Sequence, residues 1–127
     1  DNVNRLWYSN SMKEYPVSDY FNIYASHYGF KVVKYSPSSG VDFILEINGH
    51  IVSAELETHY SHYQSHYHDP RFANTDYLIL FTKRHPTPQQ IKHYKLPGKI
   101  IHIDRPHFFE WLRNHYLEYG YKQIPCK

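Results

Sequence analysis

At 127 residues and a formal net charge of +2, the chain has room for one domain with its own apolar core and too little charge to mark a nucleic-acid binder by itself. Its single cysteine, Cys126, cannot form an internal disulfide, which favours a reducing intracellular setting over secretion. No apolar run approaches the ~18 residues of a membrane span and the opening residues lack a signal-peptide pattern, so no membrane partner is expected.

Residues 1–15 have weak periodicity and read as a flexible lead-in. Ser18 can cap a helix running to about Tyr28, with Tyr20, Phe21, Ile23, Tyr24 and Tyr28 as its apolar stripe and Gly29 as its stop. Residues 30–35 form a short strand, and the Ser/Pro/Gly-rich stretch 36–40 a loop. Residues 41–47 and 50–57 alternate around Asn48-Gly49, the strongest short-range signal for a two-residue hairpin. Residues 58–69 read as a short helix or an ordered loop. The continuously apolar run 77–82 has the character of a strand buried on both faces. Thr87-Pro88 opens a short helix to Tyr94, and residues 99–103 make another strand. Asp104 caps a last helix with Pro106 in its first turn; Phe108, Phe109, Trp111, Leu112, Tyr116 and Leu117 form its apolar face and Gly120 ends it. The order is α-β-β-β-(α)-β-α-β-α: an α/β (α+β) domain over residues 16–120 with a mixed central sheet, an antiparallel hairpin and flanking helices. Residues 121–127 read as a loose tail.

The hairpin carries the chemistry. A two-residue turn at Asn48-Gly49 pairs Ile47 with His50, Leu45 with Val52 and Phe43 with Ala54, so Asp42 falls opposite Glu55. Glu57, two residues on, shares that face, while Phe43, Leu45, Val52, Ala54 and Leu56 form the core face. Cross-strand neighbours have Cβ atoms about 4.5–5.5 Å apart, and like charges so placed repel. A divalent cation is the natural compensating partner; the plainer reading is a solvated polar face, or acids neutralised by Lys or Arg.

Strand order and these acids resemble the PD-(D/E)XK, or restriction-endonuclease-like, nuclease superfamily over roughly residues 18–103. The resemblance rests on Asp42 within Ser-Ser-Gly-Val-Asp-Phe and on Glu55-Leu56-Glu57 of the next strand. It implies that Asp42 and Glu55 hold Mg²⁺ or Mn²⁺, and that Glu57 occupies the position, usually Lys, that orients or activates the attacking water, where a carboxylate can act as general base or as a third metal ligand. No Pro precedes Asp42, and Glu57 replaces the Lys. The 14 Tyr and 11 His, the small size and the lone Cys are also similar to those of the small nuclease type of filamentous (lipothrix-type) archaeal viruses, which would place the protein in the host cell cytoplasm.

The remaining candidates contact substrate. His59, His62 and His66 fall at i, i+3 and i+7 if their segment is helical, and imidazoles so spaced can bind zinc. The segment has neither Cys nor the Glu of a zinc-protease motif, so contact with phosphate, or an exposed His-rich loop, is the better reading and zinc is not the expected ion. Arg71, Lys83 and Arg84 can grip a phosphate backbone, with Lys92, His93, Lys95 and Lys99 as a basic rim around Tyr94. The expected activity is metal-dependent hydrolysis of linear double-stranded DNA, by a monomer or homodimer. The alternatives are a catalytically inactive nucleic-acid-binding or virus-structural domain of the same fold and, more remotely, a zinc-bound regulatory module built on the histidines.

Overall fold

A computed structural model of the chain describes residues 14–36, 41–64 and 75–120. Five strands form one sheet in the order β1-β2-β3-β4-β5: β1 Lys31–Tyr35, β2 Phe43–Ile47, β3 His50–Glu57, β4 Tyr77–Leu80 and β5 Lys99–His102. The helices are α1 Glu14–Tyr24, α2 Tyr60–Gln64, α3 Pro88–Tyr94 and α4 Arg105–Arg113, with 3-10 turns at Ala25–Tyr28 and Tyr116–Tyr119. The order α-β-β-β-α-β-α-β-α is the one expected from the sequence.

Asn48 and Gly49 both take positive φ (50° and 78°), the conformation a type I′ turn requires. The register follows from it: Ile47 pairs with His50, Leu45 with Val52 and Phe43 with Ala54. β1 pairs antiparallel with β2, whereas β4 lies parallel to β3 and β5 parallel to β4. The sheet therefore changes character at β3, from a meander to two crossovers carrying α2 and α3.

Each face of the sheet has its own core. On one face Phe43, Leu45, Ala54 and Leu56 pack with Val17, Tyr20 and Phe21 of α1 and Phe108 and Leu112 of α4. On the other, Leu78 and Leu80 pack with Tyr60, Tyr63 and Leu96. Leu78, Ile79 and Leu80 are all fully buried, as a continuously apolar central strand should be.

Three local expectations need correction. Ser18 does not cap the first helix: α1 starts at Glu14, inside the stretch read as a lead-in, and the buried Ser18 hydroxyl donates back to Glu14 O and Tyr15 O. Such back-bonding lets a cap-type residue sit inside a helix. Ile23 and Leu117, assigned to apolar stripes, are exposed. Leu117 falls outside α4, which ends at Arg113; Gly120 closes the 3-10 turn that follows. The expected lead-in before residue 14, the loop 37–40, the histidine-rich residues 65–74 and the tail 121–127 lie outside the described residues.

Candidate active site

The carboxylates meet where β2 leaves β3. Beyond Phe43 the ladder stops, and the backbone N–H of Leu56 donates to Asp42 Oδ2 at 2.9 Å instead. The Asp42 main-chain carbonyl accepts from Ser36 N at 2.8 Å. Asp42 is thus held on both sides, its backbone tied to the end of β1 and its side chain to β3. Extending the register by one residue sets it opposite Glu55, at a non-hydrogen-bonded position where cross-strand side chains approach most closely.

Glu55 and Glu57 are buried, at 3% and 1% exposure. They share the sheet face of Leu78 and Leu80, with which they are in register. The Glu55 carboxyl hydrogen-bonds to Asp42, while its Oε2 is buried and makes no hydrogen bond. Burial pushes the Glu55 carboxyl far above the usual carboxylate range, helped by the bond to Asp42 and by the charges of Asp42, Glu57 and Glu14. A proton must be shared between two carboxyls in such contact, because both cannot ionise at close range out of water. Glu57 is pushed up to about 9, by burial first and then by Glu14 and Asp42.

Glu14 completes the group. It stands in the first turn of α1, an exposed residue whose carboxyl is nonetheless raised to about 7, by partial desolvation and then by Asp42. With Tyr15, Ser18 and Asp42 it lines a cavity of about 110 Å³. Glu14 is legible in the sequence as an acid of the first helix, beside Asp19, but nothing in the sequence sets it next to the hairpin acids. Tyr63 was also missed. Buried in the second core, its hydroxyl is pushed up by burial and then, against a bond to Thr75 that works the other way, by the charges of Glu55 and Glu57.

Asp42, Glu55 and Glu57 therefore fall together, with Glu14 added. Of the histidines, His62 borders the group, with Nδ1 4.0 Å from Glu57 Oε2 and 3.4 Å from Thr58 Oγ1. His59 immediately precedes α2 and bonds to Ser61 through Nδ1; its ring lies edge-on to that of His62, with centroids 6.3 Å apart. His66 and Arg71 lie outside the described residues. Lys83 and Arg84 are exposed just past β4, at the end of the sheet where Glu57 closes β3.

The donor set consists of carboxylate oxygens, the ligands of a hard dication, and the buried Glu55 Oε2 is the kind of atom such an ion satisfies. As the side chains stand, no three His, Cys, Asp or Glu groups among the described residues surround one point; Asp42 Oδ2 is engaged with the Leu56 amide and Glu55 with Asp42. Protons hold the cluster together in this arrangement, and a dication would have to displace them. Comparison with family models, with curated proteins and with solved structures gives no match, and no described helix is long and apolar enough to cross a membrane.

Proposed function

We propose that this domain is a metal-dependent deoxyribonuclease of the PD-(D/E)XK type, hydrolysing phosphodiester bonds of linear double-stranded DNA. The observation that carries the reading is the Glu55 carboxylate, 3% exposed, pressed against Asp42, with Oε2 left without a hydrogen bond. Burying opposed acids without a cation is costly, and a fold that served only as scaffold would gain by replacing them with apolar side chains. The strand order supports the same reading, since the meander-to-parallel change at β3 sets the acids at the junction.

Asp42, Glu55 and Glu14 would hold Mg²⁺ or Mn²⁺. When bound, such an ion acidifies water and offsets the charge that gathers on a phosphate under attack. Glu57 stands where the family usually has Lys. Its raised proton affinity keeps it protonated in the absence of a cation, where it would align the attacking water as a donor; it would accept that water's proton once a bound cation had lowered its affinity. His62 can serve as an outlet for that proton, being within 4.0 Å of Glu57 Oε2.

The second reading is a nucleic-acid-binding domain of the same fold without cleavage. Glu57 in place of Lys favours it, as do the inward hydrogen bonds of Asp42 and Glu55. Incubating the protein with linear and supercoiled DNA in Mg²⁺, Mn²⁺ or EDTA separates the two. Cleavage in either metal, absent in EDTA and lost in Glu55→Gln, supports the nuclease. DNA binding without cleavage in either metal leaves the binding domain.

A further inference from the structure

The parallel half of the sheet carries a second cluster of chemical groups, in line with the acids. Glu57 is in register with Leu80 and Leu80 with His102. Residues in register on parallel strands point to the same face, so Glu57 and His102 share one face and one row, with β4 between them. At about 4.8 Å per strand the two lie roughly 10 Å apart across the sheet. The His102 Nε2 atom bonds to the carbonyl of Thr82, which fixes the ring and leaves Nδ1 as its other polar atom. His85 lies 6.0 Å from it, ring to ring, and is exposed. Arg105, in the first turn of α4, is buried over the rings of Phe81 and Phe109 at 4.7 and 5.7 Å and donates to Phe81 O at 3.1 Å.

We infer that His102 and His85, at the carboxyl ends of β4 and β5, form a phosphate-contact site that holds the DNA backbone away from the scissile bond, with the buried Arg105 adding positive charge behind them. This rests on the proposed action on DNA and extends it by naming where a flanking phosphate binds. Open sheets with parallel strands bind ligands beyond the carboxyl ends of those strands, the end at which these groups collect. Electrostatics agrees. Burial holds the His102 imidazole below its ordinary value, partly offset by its bond to Thr82, and the charges of His85 and Arg105 push it further down. A phosphate oxyanion at the two imidazoles would reverse that repulsion.

The test is binding of a fluorescent linear duplex in EDTA, where cleavage is off, by anisotropy at several salt concentrations and at pH 6 and 7.5. Wild type is compared with His102→Gln, whose amide can keep a donor for the Thr82 carbonyl, and with the surface variant His85→Ala, whose folding is not at stake. Expected are a several-fold loss of affinity in each variant at pH 6, a smaller loss at pH 7.5, and a salt slope shallower by up to about 1. Wild-type affinity and slope in both variants would overturn the inference while leaving the nuclease reading intact. Weakened binding in the variants of a protein that cleaves in no metal would uphold this site and remove the nuclease. A wild-type protein that binds no DNA would end both.

Discussion

Raised carboxyl pKa values give the site a pH signature that needs no substrate. A group whose proton affinity rises on folding contributes stability that is complete below its unfolded value, near 4.5, and is lost as pH climbs through the folded value. Glu14, at about 7, and Glu57, at about 9, therefore open a window from pH 4.5 to 9 over which the metal-free protein should lose stability. Thermal unfolding in EDTA should show a falling melting temperature across that window, and Glu57→Gln should flatten its upper half. Parallel profiles for wild type and variant would mean that Glu57 ionises freely. Mg²⁺ or Mn²⁺ should stabilise more at pH 8 than at pH 5, because at the lower pH the ion competes with protons. In cleavage assays Glu57→Gln should cost about 10²–10⁴-fold, the usual worth of a positioned acid–base group. His62, about half exposed, should behave differently: His62→Ala should shift stability by no more than about 0.5 kcal/mol and slow cleavage. A His62 variant with wild-type turnover would remove it from the proton path.

Among the elements, the hairpin shows how much of the site could be read from sequence. Asn48-Gly49 sets the register, and the register alone brings Asp42 toward Glu55 and puts Glu57 on the same face. At Gly49, φ is +78° and an added Cβ would meet nothing within 4 Å, so any cost of substitution there is backbone strain and not a clash. Gly49→Val should cost about 1–2 kcal/mol in urea unfolding, the penalty of a left-handed conformation for an L side chain. Asn48→Gly should be nearly neutral, since that position also has positive φ. Equal stability of Gly49→Val and wild type would show that the turn does not hold the register. What the sequence did not reveal is non-local. Glu14 comes beside Asp42 through the tertiary packing of α1, and His102 joins the row of Glu57 through two parallel pairings. A two-residue turn specifies its partner strand within the sequence; a parallel crossover does not. Ser18 misled for a different reason, since its hydroxyl can satisfy a helix start or bond back inside a helix, and composition does not distinguish the two.

Across the whole molecule, the placement of α1 decides whether Glu14 reaches Asp42, and Asp19 adds polar anchors to the apolar packing that holds the helix. Its Oδ1 accepts from the Tyr35 hydroxyl at 2.7 Å and its Oδ2 from the Tyr119 hydroxyl at 2.7 Å. One carboxylate thus ties α1 to the end of β1 and to the closing 3-10 turn. Tyr35 also donates to Ser18 Oγ at 3.0 Å, one turn of helix from Glu14 and on the wall of the cavity shared with Asp42. Hydrogen bonds to a charged group are worth about 1.5–3 kcal/mol each when buried and less when half exposed, so Asp19→Ala should cost about 2–3 kcal/mol and Tyr119→Phe about 1 kcal/mol. The variants should separate further in metal binding. Asp19→Ala frees the first turn of α1 and with it Glu14, and should weaken Mn²⁺ binding by calorimetry at a temperature where the protein remains folded. Tyr119→Phe leaves the Tyr35 bond in place and should bind Mn²⁺ as wild type does. If both variants lose metal affinity in proportion to their lost stability, affinity follows overall folding and Asp19 has no special hold on the site. If Asp19→Ala unfolds no more easily than wild type, the two tyrosine bonds do not anchor α1 at all.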